Sequence, residues 1–261
     1  MGQDGLDIGA ARTAAALRMQ LAQMTVASQM LERCANDEKS RRYLAALDQS
    51  ICRMLRIVGR MELTARLSGE PVLDLAPVDL GELVAEVGGR MAGLLRHAGV
   101  ELSIQGPEHL PARVDEVLIR QILLELTANA AKAGERVTLA LARDGDQAVF
   151  TVTDDGPGLP PEGLARLFQG DEDDVPDWRR QGNGIAIARR AAQLHGGRLM
   201  AYRVQSGGLR VAASIPLGAE EAAGLSSPGL RWDPGGFSEE VVALSELLPA
   251  SAFLPDGDWG D

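Results

Sequence analysis

Apolar positions follow two different rhythms along this chain of 261 residues. In the first quarter Leu17, Leu21, Met24, Ser28 and Leu31 step by four, three, four and three. Leu44, Leu47, Ile51, Met54, Val58 and Met61 repeat the alternation after a polar turn at Ala35-Asn36-Asp37-Glu38. That spacing predicts two heptad helices in a hairpin over residues 12–67. A hairpin with a single apolar seam buries too little surface to be stable alone. Pairing with a second copy as an antiparallel four-helix bundle, and hence a homodimer, is therefore expected.

Past residues 68–76, a linker with Ser68-Gly69-Glu70-Pro71 and a predicted short strand Val72 to Leu75, helical and period-two patterns intermix. Asp79-x-x-Glu82 is a capping box that opens a helix running to His97, and a strand covers Val100 to Gln105. A helix around Asn129 precedes two strands joined at Asp144-Gly145-Asp146. A helix Ile185 to Leu194 and strands Arg198 to Arg203 and Leu209 to Pro216 close the domain, residues 77–217. The fold class is α+β: a helical hairpin, then a domain with helices layered on one face of a mixed sheet.

Three segments of that domain carry chemistry. Leu123-Leu124-Glu125-Leu126-Thr127-Ala128-Asn129-Ala130-Ala131-Lys132 lies in a helix whose apolar stripe is Val117, Leu118, Ile122, Leu126 and Ala133. Glu125 and Asn129, four apart, share another face, with Lys132 a turn further on. A carboxylate and a carboxamide stacked in this way are hard oxygen ligands suited to a hydrated Mg²⁺ that also holds phosphates. The second segment is a β-branched run, Val149 to Thr153, that breaks at Asp154-Asp155-Gly156-Pro157-Gly158. It puts a carboxylate, able to accept from an exocyclic amine, where the strand ends beside glycines that permit close backbone approach. In the third, Gly182-Asn183-Gly184 opens the Ile185 helix, whose free amides attract phosphate.

A helix with E-x-x-x-N-A-x-K, a strand ending in D-x-G-x-G, an interrupted lid and a Gly-rich helix start together resemble the GHKL (Bergerat-fold) ATPase superfamily, specifically the catalytic domain of bacterial histidine kinases, over about Pro77 to Leu217. The resemblance implies an α/β sandwich that binds ATP and Mg²⁺. It implies that Asn129 holds Mg²⁺, that Glu125 is a polar contact or a water-activating base, and that Asp154 reads the adenine amino group. Lys132 joins this ATP-binding set. Gly156 and Gly158 would flank base and ribose, while Gly182 and Gly184 would let a lid fold over the phosphates. Leu164-Ala165-Arg166-Leu167-Phe168 is similar to the family's short apolar element before the lid. His-Gly-Gly at His195 to Gly197 fits its helix end, which makes His195 structural. In the lid, the acidic run Asp171 to Asp174 reads as a solvated loop, with Arg166, Arg179 and Arg180 able to offset its repulsion of phosphates.

In histidine kinases such a hairpin carries the phosphoacceptor histidine. Here Ala15-Ala16-Leu17-Arg18-Met19-Gln20-Leu21 lines up with the family's His-Glu-Leu-Arg-Thr-Pro-Leu pattern, which puts Ala15 in the histidine's place. The first 96 positions contain no histidine; the three in the chain are His97, His109 and His195. No phosphoacceptor is assigned.

The formal charge of −11 and the 3% aromatic content argue against a nucleic-acid partner. Cys34 and Cys52, both in helical pattern, give no disulfide framework and no metal cluster. No apolar stretch is long enough to span a bilayer and no signal-peptide layout opens the chain, so a cytoplasmic location is expected. Residues 218–261 form an acidic Gly/Pro-rich tail in which Glu239 to Leu248 predicts a short amphipathic helix, able to dock on the nucleotide domain or a partner. Three function classes follow. One is a histidine kinase-like signalling protein of a two-component or phosphorelay type acting with a response regulator or other signalling protein. The second is a GHKL ATPase or serine protein kinase of the anti-sigma-factor kind; the third is a nucleotide-binding scaffold. The first is favoured.

Overall fold

The computed structural model describes residues 3–35, 37–68, 71–168, 184–205, 207–218 and 236–254, which divide into two compact units. One unit contains α1 (Gln3–Glu32), α2 (Glu38–Leu67), a short helix α7 (Glu239–Leu244) and a 3₁₀ turn (Ala250–Phe253). Asp37 caps α2 through its carboxylate, which accepts from the Ser40 amide. The heptad seam is used by halves. Ala14, Leu21 and Ser28 of α1, and Ile51 and Val58 of α2, are buried. Their alternating partners Leu17 and Met24 stay 45% and 41% exposed, as do Leu47 and Met54 at 36% and 38%. Cys34 lies in the turn after α1, outside the helix expected for it, and is exposed; Cys52 is buried, and burial pushes its thiol up, with the neighbouring Asp48 adding to the shift.

The predicted tail helix forms over Glu239–Leu244 and packs on α2 of the hairpin, so its docking partner differs from the nucleotide domain considered above. Ser238 caps it by accepting from the Val241 amide.

The second unit is built on a five-stranded sheet of order β2-β4-β5-β7-β6, from β2 (Glu101–Gln105), β4 (Arg136–Asp144), β5 (Gln147–Asp154), β6 (Arg198–Arg203) and β7 (Leu209–Pro216). β2 and β4 are parallel and the remaining pairs antiparallel, which makes the sheet mixed. The β4/β5 register pairs Leu139 with Val152 and Leu141 with Phe150, and the β5/β7 register pairs Phe150 with Ala213. These side chains line one buried face, against which α3 (Leu80–Arg96), α4 (Glu116–Ala133) and α6 (Gly184–Leu194) pack.

A separate antiparallel pair joins β1 (Ala76–Asp79) to β3 (Pro111–Val114), with Ala76 opposite Val114. The strand expected at Val72 to Leu75 therefore starts four residues later. Val72 is almost fully exposed and residues 71–75 have no ladder partner, whereas Ala76–Asp79 finds one in β3. β3 itself is a strand that the sequence pattern did not predict. Val117, assigned to the apolar stripe of α4, is half-exposed, while Glu125 is buried.

Candidate functional site

The α4 helix starts at Asp115, whose carboxylate accepts from the Leu118 amide at 3.2 Å. The Asp115 amide donates to His195 Nε2 at 3.0 Å, and His195 Nδ1 donates to the Ala191 carbonyl at 2.8 Å. Both ring nitrogens are thus engaged, which fixes the neutral Nδ1–H tautomer and ties the end of α6 to the start of α4. His195 therefore ties two helices together, a structural role at the His-Gly-Gly helix end.

Along α4, Glu125 is buried and Asn129 half-buried, one turn apart, with Lys132 exposed beyond them. They face Gly184, the first residue of α6: a Cβ there would overlap Glu125 Oε2 and sit 3.0 Å from Asn129 Nδ2. Glycine at this point lets the N-terminus of α6 close onto the carboxylate and carboxamide, so the two side chains and a helix N-terminus converge. A Mg²⁺ with phosphate oxygens suits this donor set of one carboxylate and one amide oxygen.

The Asp154-Asp155 pair splits into two roles. Asp155 is a staple: its Oδ1 accepts from the Glu135 and Arg136 amides, each at 2.9 Å, and its Oδ2 from Arg136 Nε at 2.9 Å. The Arg136 amide and guanidinium hold its carboxyl below the usual carboxylate range. Asp154 is buried at the end of β5, and its Oδ1 accepts from the Gly156 amide at 2.9 Å and the Leu209 amide at 3.3 Å. Its Oδ2 accepts from nothing among the described residues. Oδ1 is thus the oxygen that fixes the carboxylate.

The glycines of the turn make room for neighbouring backbone. Gly158 has φ +67° and a Cβ on it would lie 2.8 Å from the Gly208 carbonyl; Gly208, at φ +89°, has its own Cβ position inside the Asp154 carbonyl. The turn after β5 thus nests against the chain between β6 and β7, and Gly156 packs on the Ala133 carbonyl at the end of α4. Gly208 and the Leu209 amide were not singled out from sequence. A Gly-Gly before a strand is the one signal there, and it says nothing about which side chain it supports. Gly182 and the lid residues Asp171 to Asp174, Arg179 and Arg180 lie outside the described residues, as does the Arg166 side chain of α5 (Pro161–Phe168).

Of the other two histidines, His97 is the α3 C-cap and His109 lies 3.0 Å from Asp79 Oδ2. Asp79 caps α3, its Oδ1 accepting from the amides of Gly81, Glu82 and Leu110. Burial opposes ionisation of Asp79, but the bonds from Leu110, His109, Glu82 and Gly81 outweigh it and hold the carboxyl below its ordinary value. The hydrogen bond to Asp79 raises the imidazole of His109.

A mixed sheet with three helices on one face, an acid at a strand end and a carboxylate–carboxamide pair meeting a helix N-terminus define an ATPase-type nucleotide-binding domain. Residues 114–219 match the family described as histidine kinase-, DNA gyrase B-, and HSP90-like ATPase, so this domain is of the GHKL, histidine-kinase-like type. The chain is similar to the circadian input-output histidine kinase CikA of Synechococcus elongatus, 29% identical over 83% of this chain and 31% of that one. It is 34% identical to the sensor histidine kinase MtrB of Mycobacterium bovis over 60% of this chain and 29% of that protein. The crystal structure of full-length ShkA in complex with AMPPNP superposes with a TM-score of 0.64 at 28% identity, covering 87% of this chain and 48% of that one. The chain thus spans a third to a half of these relatives' lengths. Among the described residues no helix is long and apolar enough to cross a membrane.

Proposed function

We propose that this chain is a cytoplasmic ATP- and Mg²⁺-binding signalling protein of the two-component or phosphorelay type, homodimeric through its hairpin, that works with a response regulator or other signalling protein and carries no phosphoacceptor histidine in that hairpin. The observation that carries the nucleotide half is Asp154, fixed through Oδ1 by two amides with Oδ2 left to accept the adenine amino group. Gly156, Gly158 and Gly184 shape the walls, with Gly182 in the lid. Asn129 would hold Mg²⁺, with Glu125 beside it and Lys132 toward the phosphates; the ion would neutralise charge developing on the transferred phosphoryl group.

The half-used heptad supports the dimer. Leu17, Met24, Leu47 and Met54 repeat the spacing of the buried seam yet stay part-exposed, the stripe that a second hairpin would cover. Ala15 and Ala16 offer neither an imidazole nor an adjacent carboxylate for phosphoryl transfer. The burial of Glu125 against Gly184 favours a second reading, a GHKL ATPase or serine protein kinase, in which that carboxylate activates the attacking hydroxyl.

Incubation with Mg²⁺ and γ-labelled ATP tests both. The proposal expects nucleotide binding with no acid-labile, base-stable label on the protein. Such a label would overturn the absence of an acceptor, and steady phosphate release would move the assignment to the ATPase reading.

A further inference from the structure

Asp79, Glu82 and His109 have no part in the nucleotide reading, yet three elements bring them together. Asp79 ends β1, Glu82 lies in the first turn of α3, and His109 sits in the loop between β2 and β3, flanked by Pro107 and Pro111. The β1/β3 register sets Asp79 opposite Pro111, which returns that loop to the start of α3. Two contacts clamp it there. The Leu80 amide donates to the Leu110 carbonyl at 2.9 Å, and Gly81 lies so close to the loop that a Cβ on it would overlap the Glu108 carbonyl. The two prolines restrict φ on either side, so the imidazole is carried on a constrained backbone.

The three side chains form a compact set of nitrogen and oxygen donors. His109 Nδ1 lies 3.0 Å from Asp79 Oδ2 and 3.8 Å from Glu82 Oε1, and one atom from each residue fits within 4.8 Å of the other two. Neighbouring ligands of a tetrahedral ion with bonds of about 2.0–2.1 Å stand about 3.3 Å apart, a spacing that the two measured edges bracket. The edge between the carboxylates closes by rotation of Glu82, whose side chain is 66% exposed. Asp79 is already aimed: its Oδ1 is taken by the amides of Gly81, Glu82 and Leu110, which leaves Oδ2 toward the imidazole. With the Leu80 bond, the first three amides of α3 are all engaged, so this helix end has none of them to offer an anion. Glu108 adds its charge beside His109, and three carboxylates around one imidazole favour a cation.

We propose that Asp79, Glu82 and His109 bind a divalent transition-metal ion of the zinc class, with the fourth position left to water. An imidazole nitrogen among the donors selects such an ion over Mg²⁺ and Ca²⁺, which take oxygen ligands. The ion takes the place of the proton between His109 Nδ1 and Asp79 Oδ2, and it pins the β2–β3 loop to the first turn of α3. The site shares no residue with the Glu125–Asn129 pair and is tested without nucleotide, so either assignment can fail alone.

The probe is Zn²⁺, titrated by isothermal calorimetry and by NMR into the full chain free of nucleotide and Mg²⁺, with its three histidines labelled by ¹⁵N. The chain carries Cys34→Ser throughout, so that the exposed thiol does not compete for the ion. One ion should bind per chain, and among the imidazoles the His109 signals should move. His109→Gln and Glu82→Gln change side chains that are 62% and 66% exposed and leave the core untouched. Affinity should fall about 100-fold in the first and about tenfold in the second. Saturating Zn²⁺ should raise the Tm of the parent chain and not that of His109→Gln, and excess Mg²⁺ should not displace it. Unmoved His109 signals, equal Zn²⁺ affinity in the parent and His109→Gln, or displacement by Mg²⁺ would each overturn the site.

Discussion

The two units of this chain solve the problem of holding a polar site differently. The nucleotide unit fixes three carboxylates with backbone amides: Asp154 by Gly156 and Leu209, Asp155 by Glu135 and Arg136, Asp115 by Leu118. The hairpin unit instead uses side chains reaching between elements, such as Arg18 to Glu62 and Arg56 to Glu246. Amides move only if the fold moves, whereas side-chain pairs can be exchanged for equivalent partners. The difference teaches that the carboxylates of the first unit are set by its backbone, while the hairpin unit ties its elements through side chains.

The sharpest way to break that contrast is Asp154→Ala. Adenine nucleotide affinity should fall by about 100-fold or more, because a buried site built to accept a hydrogen bond is emptied. Glu125→Ala should leave binding within about threefold while removing any turnover, because only Asp154 is expected to touch the base. Isothermal titration calorimetry reads both, and unchanged affinity in Asp154→Ala would sink the pocket assignment. Next in size, Met24→Glu with Met54→Glu should turn a dimer into a monomer, lowering association by about 100-fold through charges on the open heptad stripe. Analytical ultracentrifugation checks this, and a wild-type monomer at micromolar concentration would remove the bundle.

Gly208→Ala should cost about 2–4 kcal/mol, since its φ is +89° and its Cβ position lies inside the Asp154 carbonyl. Thermal unfolding should show the loss, with nucleotide affinity falling alongside as Asp154 shifts. The smallest effect is expected from His109→Gln. The imidazole is raised in the fold, so its contribution is full below the unfolded value of about 6.5 and disappears as pH rises through the folded value. Asp79, held low, must be ionised, which requires pH above about 4. The Tm difference from wild type should therefore be largest between those limits and vanish at alkaline pH.

Much of this architecture was legible in the residues. The capping box at Asp79, the tight turn at Gly145 and the strands Arg198–Arg203 and Leu209–Pro216 all follow from local signals that need no distant partner. β1 and β3 were misplaced or missed because each is four residues long and is defined by the other, with partners 32 to 38 residues apart in no regular pattern. The tail helix was legible from its apolar spacing, but its partner was not, because an amphipathic face states that something covers it and not what does.

By itself the sequence determined which residues could carry chemistry: Glu125, Asn129 and Lys132 on one helix, Asp154 before its glycines, and the absence of histidine from the first 96 positions. Composition and spacing are local properties, and these assignments rest on them together with the family resemblance that they carry. Only the tertiary structure decided that Asp155 is spent on Arg136 while Asp154 keeps an oxygen, that His195 joins two helices, that Gly208 backs the pocket, and that the chain's end returns to its own hairpin. Each of these depends on which backbone amide or carbonyl arrives from far along the chain, and that is set by packing rather than by any pattern in neighbouring residues.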